Sequence, residues 1–291
     1  AGMSIWQTAR FEVDLTRPKV MGIVNVTPDS FSDGGRHACE MAAIRYCENL
    51  VRDGADILDI GGESTRPGSP AIDEEEELAR VLPVVRACVS LGVPISVDTY
   101  KPEVMRSVLG LGADIINDVW ALRHGDAEQV IAAHPAAGVC LMHMHRDPQT
   151  MQLAPMQGDV LTPVRDFLHA RSRALKARGV HADRIVWDPG IGFGKTVEQN
   201  FSLLARQAEL LAGGSRLLVG WSRKSSLGAV TGLEVTERAV PSAVAAVLAV
   251  ERGASIVRVH DVRETVAALA VWTSTISQTG TTASRPMEAG T

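Results

Sequence analysis

Eight short apolar runs divide the chain, and each ends in a polar residue that can bind a ligand or take part in chemistry. A run that is apolar throughout is typical of a strand buried on both faces, as in a parallel sheet. Helix-like segments separate consecutive runs, so the pattern predicts a single-domain α/β fold. This is the (β/α)8 or TIM barrel, with its active site at the C-terminal ends of the parallel strands. The residues at these ends are Asn25, Asp59, Asp98, Asn117, His143, Asp188, Ser222 with Lys224, and Arg258 with His260.

The same pattern predicts three segments and the bounds of their elements. We expect residues 1–17 to be an N-terminal extension with a strand or hairpin at the bottom of the barrel, 18–276 to form the barrel, and the polar tail 277–291 to be disordered. The predicted strands cover 19–25, 56–60, 94–98, 114–117, 138–144, 184–188, 216–220 and 255–260. The predicted helices cover 38–53, 126–134, 159–178, 197–212, 236–252 and 262–276, and two more begin near 73 and 102.

The helix that begins near residue 73 opens with an acidic run. Asp73 and Glu76 have the spacing of a capping pair at a helix N-terminus. The carboxylates of Glu74–Glu77 would then lie near the positive end of the helix dipole. We therefore interpret the run as a solvated helix start.

Composition narrows the class of protein. The 291 residues fit one barrel of about 250 residues plus short tails. The net charge is −5 with both signs mixed, which gives no basic face for nucleic acid. The four cysteines form no C-x-x-C pair, so we expect reduced thiols in a cytoplasmic protein. We expect neither a membrane span, since no apolar run reaches about 18 residues, nor export.

Three predicted strands end in an aspartate. A single buried Asp59, Asp98 or Asp188 could serve only to cap the following helix. Three carboxylates that converge on one barrel mouth are harder to explain in this way, because a buried carboxylate is costly unless it is paired or hydrogen-bonded. A heterocycle with several N–H donors would satisfy Asp98 and Asp188, and the Asn117 amide both donates and accepts. Together they predict a site for a flat, guanidine-like ring edge.

Cationic side chains follow the last two strands. Arg258 and His260 are separated by one residue, so both point to the same side of a strand, and Lys224 follows the strand before it. TIM barrels often bind phosphate near these two loops. Arg258 can hold phosphate oxygens bidentately, and His260 can donate a further hydrogen bond. The alternative is an arginine–carboxylate pair that only closes the barrel.

Two sequence motifs resemble known ligand sites, a P-loop and a zinc site, but do not match their patterns. The glycine-rich run 188–196 is not a P-loop, because Pro189 stands where the Walker pattern requires glycine. Its glycines more readily allow sharp turns or a close approach to a ligand. His143 and His145 would share a strand face, but no third zinc ligand is evident nearby.

Long loops rich in Gly, Pro and Ser follow the first two predicted strands, at 27–35 and 63–69. They lie where a barrel keeps its lids, and their composition predicts mobility in the unliganded protein. A purely structural role for them is the alternative. The residues that could close on a second substrate are Phe31, Ser64, Thr65, Arg66 and Pro67.

Seven motifs, in order and spacing, resemble those of the dihydropteroate synthases: NVTPDSFSDGG, DIGGESTRPGS, SVDTYKPEV, NDVWAL, DPGIGFGKT, WSRKS and RVHD. The resemblance extends from Val20 to the last helix. It implies a transferase of folate biosynthesis that condenses 6-hydroxymethyl-7,8-dihydropterin diphosphate with p-aminobenzoate. Diphosphate would leave first, and a pterin carbocation would follow. The resemblance also implies Mg²⁺ as cofactor, sulfonamide inhibition and a homodimer formed through the late helices.

The resemblance also implies roles for individual residues. The catalytic residues would be Asp98, Asp188, Lys224, Arg258 and His260. The pterin would bind to Asp98, Asn117, Met142, Asp188 and Lys224. The p-aminobenzoate site would comprise Phe31, Ser64, Thr65, Pro67, Phe193, Lys224 and Ser225. Diphosphate would bind to Asn25, Arg66, Arg258 and His260, with Asn25 as the metal ligand.

Two other functions remain open. One is a methyltetrahydrofolate-binding methyltransferase domain, which should lack the two lid motifs and the RVHD motif. The other is a catalytically silent paralogue, which should have lost Lys224, Arg258 or the STRP loop. The chain keeps all of these features. It departs from the family pattern at Trp120, Ile191, Trp221 and in HMHRDP, positions that would flank the site.

Overall fold

The computed structural model describes residues 4–28, 35–66, 68–146 and 156–279. An N-terminal hairpin of β1 (Ile5–Gln7) and β2 (Glu12–Asp14) precedes eight parallel strands. These strands are β3 (Lys19–Asn25), β4 (Ile57–Gly61), β5 (Ile95–Asp98), β6 (Ile115–Asp118), β7 (Gly138–Met142), β8 (Ile185–Asp188), β9 (Leu218–Val219) and β10 (Ile256–Val259).

The strands form a barrel in chain order. Each of β3 to β7 pairs in parallel with the next strand, and β10 lies between β3 and β9. A parallel bridge between Trp187 and Leu217, with Trp187 N donating to Arg216 O at 2.9 Å, joins β8 to the segment before β9 and closes the ring. The predicted (β/α)8 barrel is confirmed.

Helices surround the barrel within the described residues. They are α1 (Gly35–Arg52), α2 (Glu74–Cys88), α3 (Pro102–Gly110), α4 (Ala127–Ala133), α5 (Leu161–Ala177), α6 (Val197–Ala205), α7 (Ser225–Thr231), α8 (Ala239–Glu251) and α9 (Val262–Ser277). Most of the buried apolar side chains pack between these helices and the outer faces of the strands.

The interior of the barrel is apolar at the bottom and polar at the top. A lower layer consists of inward side chains that include Ile57, Ile115, Val186 and Ile256, and the hairpin covers it with the buried Trp6. Trp6 Nε1 donates to Arg184 O at 3.0 Å, which fixes the hairpin across the N-terminal ends of the strands. The predicted hairpin at the barrel bottom therefore forms.

Side chains two positions further along a strand lie on the same face. The next inward layer therefore places a polar residue above each apolar one: Asp59 above Ile57, Asn117 above Ile115, Asp188 above Val186 and Arg258 above Ile256. This single step of two residues builds the polar floor of the barrel mouth.

Two element predictions need correction. The helix predicted over 197–212 ends at Ala205 and is followed by a separate turn of 3₁₀ helix over Gln207–Leu210. The helix α7 was not predicted, since its seven residues contain a glycine and show no long apolar period.

The interpretation of the acidic run as wholly solvated was wrong at one position. Asp73 does cap α2, with its side chain accepting from Glu76 N at 2.8 Å. Glu77, however, is only 1% exposed. It lies on the inner face of α2 and is bonded to Lys101 Nζ at 2.6 Å, so its charge is paired within the protein.

Candidate active site

A buried carboxylate lies at the centre of the barrel mouth. Asp59 accepts hydrogen bonds from Ser96 Oγ at 2.8 Å, Asn117 Nδ2 at 3.0 Å and Arg258 Nε at 2.8 Å. These donors come from three other strands, so the carboxylate ties β4 to β5, β6 and β10. The sequence had marked Asp59 as a strand-end carboxylate but assigned it no site role.

Arg258 also approaches a second carboxylate. Its Nη2 lies 3.4 Å from Asp98 Oδ2, at the end of β5. Burial and the neighbouring Asp59 charge raise the pKa of Asp98 well above its ordinary value, although Arg258 acts in the opposite direction. The arginine–carboxylate pair considered as an alternative is thus present. Because a guanidinium carries five N–H donors, this pairing does not exhaust it.

The opposite side of the mouth carries Asp188 at the end of β8. Its Oδ1 accepts from Gly190 N at 2.8 Å. Burial raises the pKa of this carboxyl, while the charge of Lys224 is the largest influence in the other direction. The Asp188 carboxylate has lost much of its hydration by burial, so it favours a ligand that presents N–H donors.

Two lysines approach Asp188 from the loop after β8 and from the loop after β9. Lys224 Nζ donates to Ile191 O at 2.6 Å and lies 5.1 Å from the centroid of the Phe193 ring. Lys195 Nζ donates to Gly190 O at 2.7 Å and is buried. Burial lowers the pKa of Lys224 to about 8 and that of Lys195 to about 7. Sequence reasoning missed Lys195, which the DPGIGFGKT motif contains.

His260 is neutral and oriented by Ser222. Burial, with the charges of Arg223 and Arg258, lowers the pKa of His260 to about 3. Ser222 Oγ accepts from His260 N at 3.0 Å and lies 2.8 Å from His260 Nδ1. In the tautomer in which the hydroxyl donates to Nδ1, the proton of the neutral ring is on Nε2.

The loop after β4 carries three described residues of the predicted aminobenzoate and diphosphate sites. Ser64 Oγ accepts from Arg66 N at 3.3 Å and from Ser69 Oγ at 3.1 Å, and Thr65 is half-buried. Arg66 is exposed, and its charge is among those that lower the pKa of His260. Two further predicted residues, Phe31 and Pro67, lie outside the described residues, as does most of the loop 27–35.

The remaining predicted residues, Asn25, Ser225 and Met142, differ in burial. Asn25 is half-buried at the end of β3, and Ser225 is exposed at the start of α7. Met142 is buried in a small apolar cluster with Val119 and Met144, against which Phe193 packs. Tyr100 and Trp120 pack on the same cluster, and sequence reasoning assigned neither to the site.

A zinc site at the two histidines has no support in the described part of the chain. His143 is buried beside Phe167, and burial lowers its pKa to about 2. No group of three His, Cys, Asp or Glu side chains among residues 4–28, 35–66, 68–146 and 156–279 could hold a metal.

Comparison with known proteins gives the family. The profile of the family described as "Pterin binding enzyme" matches residues 21–260. A dihydropteroate synthase of Neisseria meningitidis serogroup B is 49% identical over 274 residues, which cover 92% of this chain and 96% of the relative. The chain belongs to the dihydropteroate synthase family.

Solved structures agree in both fold and sequence. Burkholderia cenocepacia dihydropteroate synthase in complex with 7,8-dihydropteroate has a TM-score of 0.87 and 49% identity, covering 96% of this chain and 98% of that one. The Xanthomonas albilineans enzyme with 4-aminobenzoic acid has a TM-score of 0.90 and 46% identity, with coverage of 95% and 99%. The predicted family, fold and enzyme class, a transferase of folate biosynthesis, are confirmed.

Proposed function

We propose that this chain binds 6-hydroxymethyl-7,8-dihydropterin diphosphate at the floor of the barrel mouth and p-aminobenzoate above it, and joins them to 7,8-dihydropteroate. One observation carries the proposal: two carboxyls with raised pKa values, the largely buried Asp98 at the end of β5 and the buried Asp188 at the end of β8, lie at a mouth that also holds Asn117, Lys224 and Arg258. Acceptors on opposite sides, with an amide and cations between them, match the edge of a pterin ring.

The pterin ring is assigned to the floor. Asp188 would accept from the ring N–H and amino groups, and Lys224 would donate to the ring carbonyl. Asp98 and Asn117 would bind the opposite ring nitrogens, and Met142 would contact a face of the ring. Burial strengthens these hydrogen bonds, because the mouth has a lower dielectric constant than water.

The diphosphate is assigned to Arg258, His260 and Arg66. Arg258 can supply N–H donors that Asp59 and Asp98 do not occupy, and the His260 Nε2–H is a neutral donor held in place by Ser222. The leaving group gains negative charge as it departs, and preorganised donors that stabilise this charge lower the barrier.

Mg²⁺ fits this arrangement through Asn25. The half-buried amide at the end of β3 is a hard oxygen donor, and the described residues offer no cage of acidic side chains. Such a site suits Mg²⁺, which commonly takes one or two protein ligands and completes its shell with substrate phosphates and water. When bound, the ion would neutralise charge on the diphosphate.

We propose that the reaction is a substitution at the methylene carbon attached to the pterin ring. The carbon–oxygen bond breaks first, and diphosphate leaves with the bonding electron pair. Asp98 and Asp188 then stabilise the cation spread over the ring. The amine of p-aminobenzoate forms the carbon–nitrogen bond with its lone pair, and its surplus proton passes to solvent.

The second substrate is assigned to the rim. We assign Ser64, Thr65, Phe193, Lys224 and Ser225 to the p-aminobenzoate site above the floor. Phe31 and Pro67 were also predicted for this site and lie outside the described residues. The Phe193 ring near the Lys224 ammonium offers an apolar face for the benzoate ring beside a cation for its carboxylate. Sulfonamides would compete for this position.

We further propose a cytoplasmic homodimer. Val240, Val244 and Leu248 on α8 and Val271 on α9 are exposed apolar side chains, as expected of a helix pair that packs against a second copy. The four cysteines carry no disulfide, which agrees with a reducing compartment. No helix in the described ranges combines the length and apolarity needed to span a bilayer.

The proposal is tested by measuring diphosphate release and dihydropteroate formation with both substrates. Both should require p-aminobenzoate for sustained turnover and should stop after EDTA treatment, then return with Mg²⁺. Pterin binding without turnover would favour the silent paralogue, and full activity in EDTA would refute the metal assignment.

A further inference from the structure

Two motifs contain ionisable residues that the proposed reaction does not use. Lys101 belongs to SVDTYKPEV, which also supplies Asp98, and Glu63 belongs to ESTRPGS. Both side chains are nearly buried, with 11% exposure for Lys101 and 8% for Glu63. A third residue, Glu77 of α2, is buried beside them. We call these three residues the Lys101 cluster.

The Lys101 ammonium joins the two carboxylates. Its Nζ donates to Glu77 Oε1 at 2.6 Å and to Glu63 Oε1 at 3.1 Å. Thr99 Oγ1 donates to the other oxygen of Glu77 at 2.5 Å, and Tyr100 OH donates to Glu63 at 3.1 Å. The segment that directly follows Asp98 is therefore bonded to both α2 and the loop after β4.

Glu63 in turn shapes the loop after β4. Its Oε1 accepts from Ile72 N at 2.8 Å, so one carboxylate joins the beginning of the loop to its end. Arg80 of α2 donates to Gly62 O at 2.8 Å and holds the start of the loop from the other side. The residues between these anchors include Ser64, Thr65 and Arg66, which are proposed to line the rim.

The charges explain why the ammonium is needed. Burial lowers the pKa of Lys101, but its bonds to Glu77 and Glu63 outweigh this and raise the pKa above its ordinary value, so the side chain remains charged. Burial and Glu63 raise the pKa of Tyr100 to about 12, so its hydroxyl remains a donor. Without Lys101, two neighbouring carboxylates would lose their shared cation, and the more exposed Glu63 could relax by moving the loop toward water.

We propose that Lys101 is a positioning residue that holds the loop after β4 in the conformation that receives p-aminobenzoate. It acts through Glu63, while Glu77 fixes the ammonium to the body of the barrel. The proposal rests on the proposed function, since it assigns the loop to the second substrate. The floor should be insensitive to this loop, because Asp98 is held by strand pairing with Gly61 and Asn117.

The test compares two substrates in Lys101→Met. We expect the KM for p-aminobenzoate to rise at least tenfold. Calorimetric affinity for a pterin that lacks the diphosphate should change less than twofold, since such a ligand cannot report on Arg66. A role confined to folding would lower the active fraction without separating the two ligands.

Arg10→Met is the matched control. Arg10 pairs with the buried Asp114 at the opposite end of the barrel, with Nη2 and Oδ2 2.9 Å apart. Its loss also leaves a buried carboxylate without its cation, so both variants should have a lower Tm. Arg10→Met, however, should leave the KM for p-aminobenzoate unchanged. An equal KM in the two variants would overturn the proposal.

Glu63→Gln is a second variant that tests the proposal even if Lys101→Met does not fold. Glutamine keeps the shape and a carbonyl acceptor but removes the charge, so we expect a three- to fivefold rise in the KM for p-aminobenzoate. The double variant should show no further rise over Lys101→Met, because the lysine acts through the same loop anchor. If Glu63→Gln has the wild-type KM for p-aminobenzoate, the proposal is wrong.

The wild-type protein separates the two proposals. Wild-type protein without synthase activity would overturn the proposed function as well. Active wild-type protein with an unchanged KM in the variants would overturn the positioning role alone.

Discussion

Asp188 offers a direct test of ring recognition. Its carboxyl is buried with a raised pKa and accepts from Gly190 N. Asp188→Asn keeps the shape but replaces an acceptor oxygen with a donor, which mismatches the ring N–H groups. A hydrogen bond to a charged group contributes about 1.5–3 kcal/mol, so pterin affinity measured by calorimetry should fall at least tenfold. Wild-type affinity in this variant would contradict the assignment.

Lys224 should set an alkaline limit on the reaction. With a pKa of about 8, its ammonium is present below pH 8 and is lost as the pH rises above it. The free-enzyme profile of kcat/KM should therefore decline above pH 8. Lys224→Arg should be less active but should lack this decline, since arginine stays charged. A decline that persists in Lys224→Arg would point instead to the neighbouring Lys195, whose pKa is about 7.

At the residue scale, sequence predicted which side chains converge but not how they pair. Asp98, Asn117, Asp188 and Arg258 end parallel strands, and this alone places them at one mouth. The choice of Asp59 as the main partner of Arg258 depends on the register of three neighbouring strands, β10, β3 and β4, which no local pattern encodes.

Among the elements, the strands were predicted best and α7 was missed. Buried parallel strands are continuous apolar runs, and seven of the eight predictions overlap their strands almost fully. The eighth, 216–220, contains only a two-residue β9. The short helix α7 depends instead on tertiary contacts, since Arg238 packs against Gly228 and donates to Arg223 O at 2.9 Å.

This packing makes Gly228 a sensitive position. A Cβ there would lie 2.2 Å from Arg238 Nη2, so Gly228→Ala must displace the guanidinium from its two backbone acceptors. Loss of these two hydrogen bonds costs about 1–3 kcal/mol, which the better helix propensity of alanine offsets only in part, and denaturant unfolding should show the net loss. In Gly110→Ala the new methyl meets open space at the end of α3, and stability should be unchanged or slightly higher. Equal stability of the two variants would contradict the packing argument.

Glu77 shows why an acidic run cannot be interpreted from charge alone. Four consecutive glutamates cover more than a full helical turn, so one of them must face the barrel. The partner that makes this burial tolerable, Lys101, follows another strand and is 24 residues away in the chain.

For the whole molecule, the exposed apolar side chains of α8 and α9 predict the oligomeric state. Val240 and Val271 are 74% and 70% exposed, which is costly for a monomer. The wild type should sediment as a dimer, and Val240→Glu should shift it to a monomer, because two carboxylates would be buried at the interface. Met41→Glu changes an exposed apolar side chain on α1, outside α8 and α9, and should leave the dimer intact. A monomeric wild type would contradict the proposal.

The barrel as a whole was predictable because its two ends are chemically different. Apolar inward residues and the hairpin close the bottom, and polar residues two positions later open the top to a ligand. The conformation of the lid at 27–35 and its predicted mobility fall largely outside the described residues, so those predictions stand untested.

The central claim is that the pterin lies on the floor and p-aminobenzoate on the rim. A crystal structure with pterin diphosphate, Mg²⁺ and p-aminobenzoate tests it most directly. We predict the pterin edge within hydrogen-bond distance of Asp188 and Asn117, the diphosphate on Arg258 and His260, and the benzoate ring beside Phe193. A pterin bound away from the C-terminal ends of the strands, or p-aminobenzoate on the floor, would contradict the account.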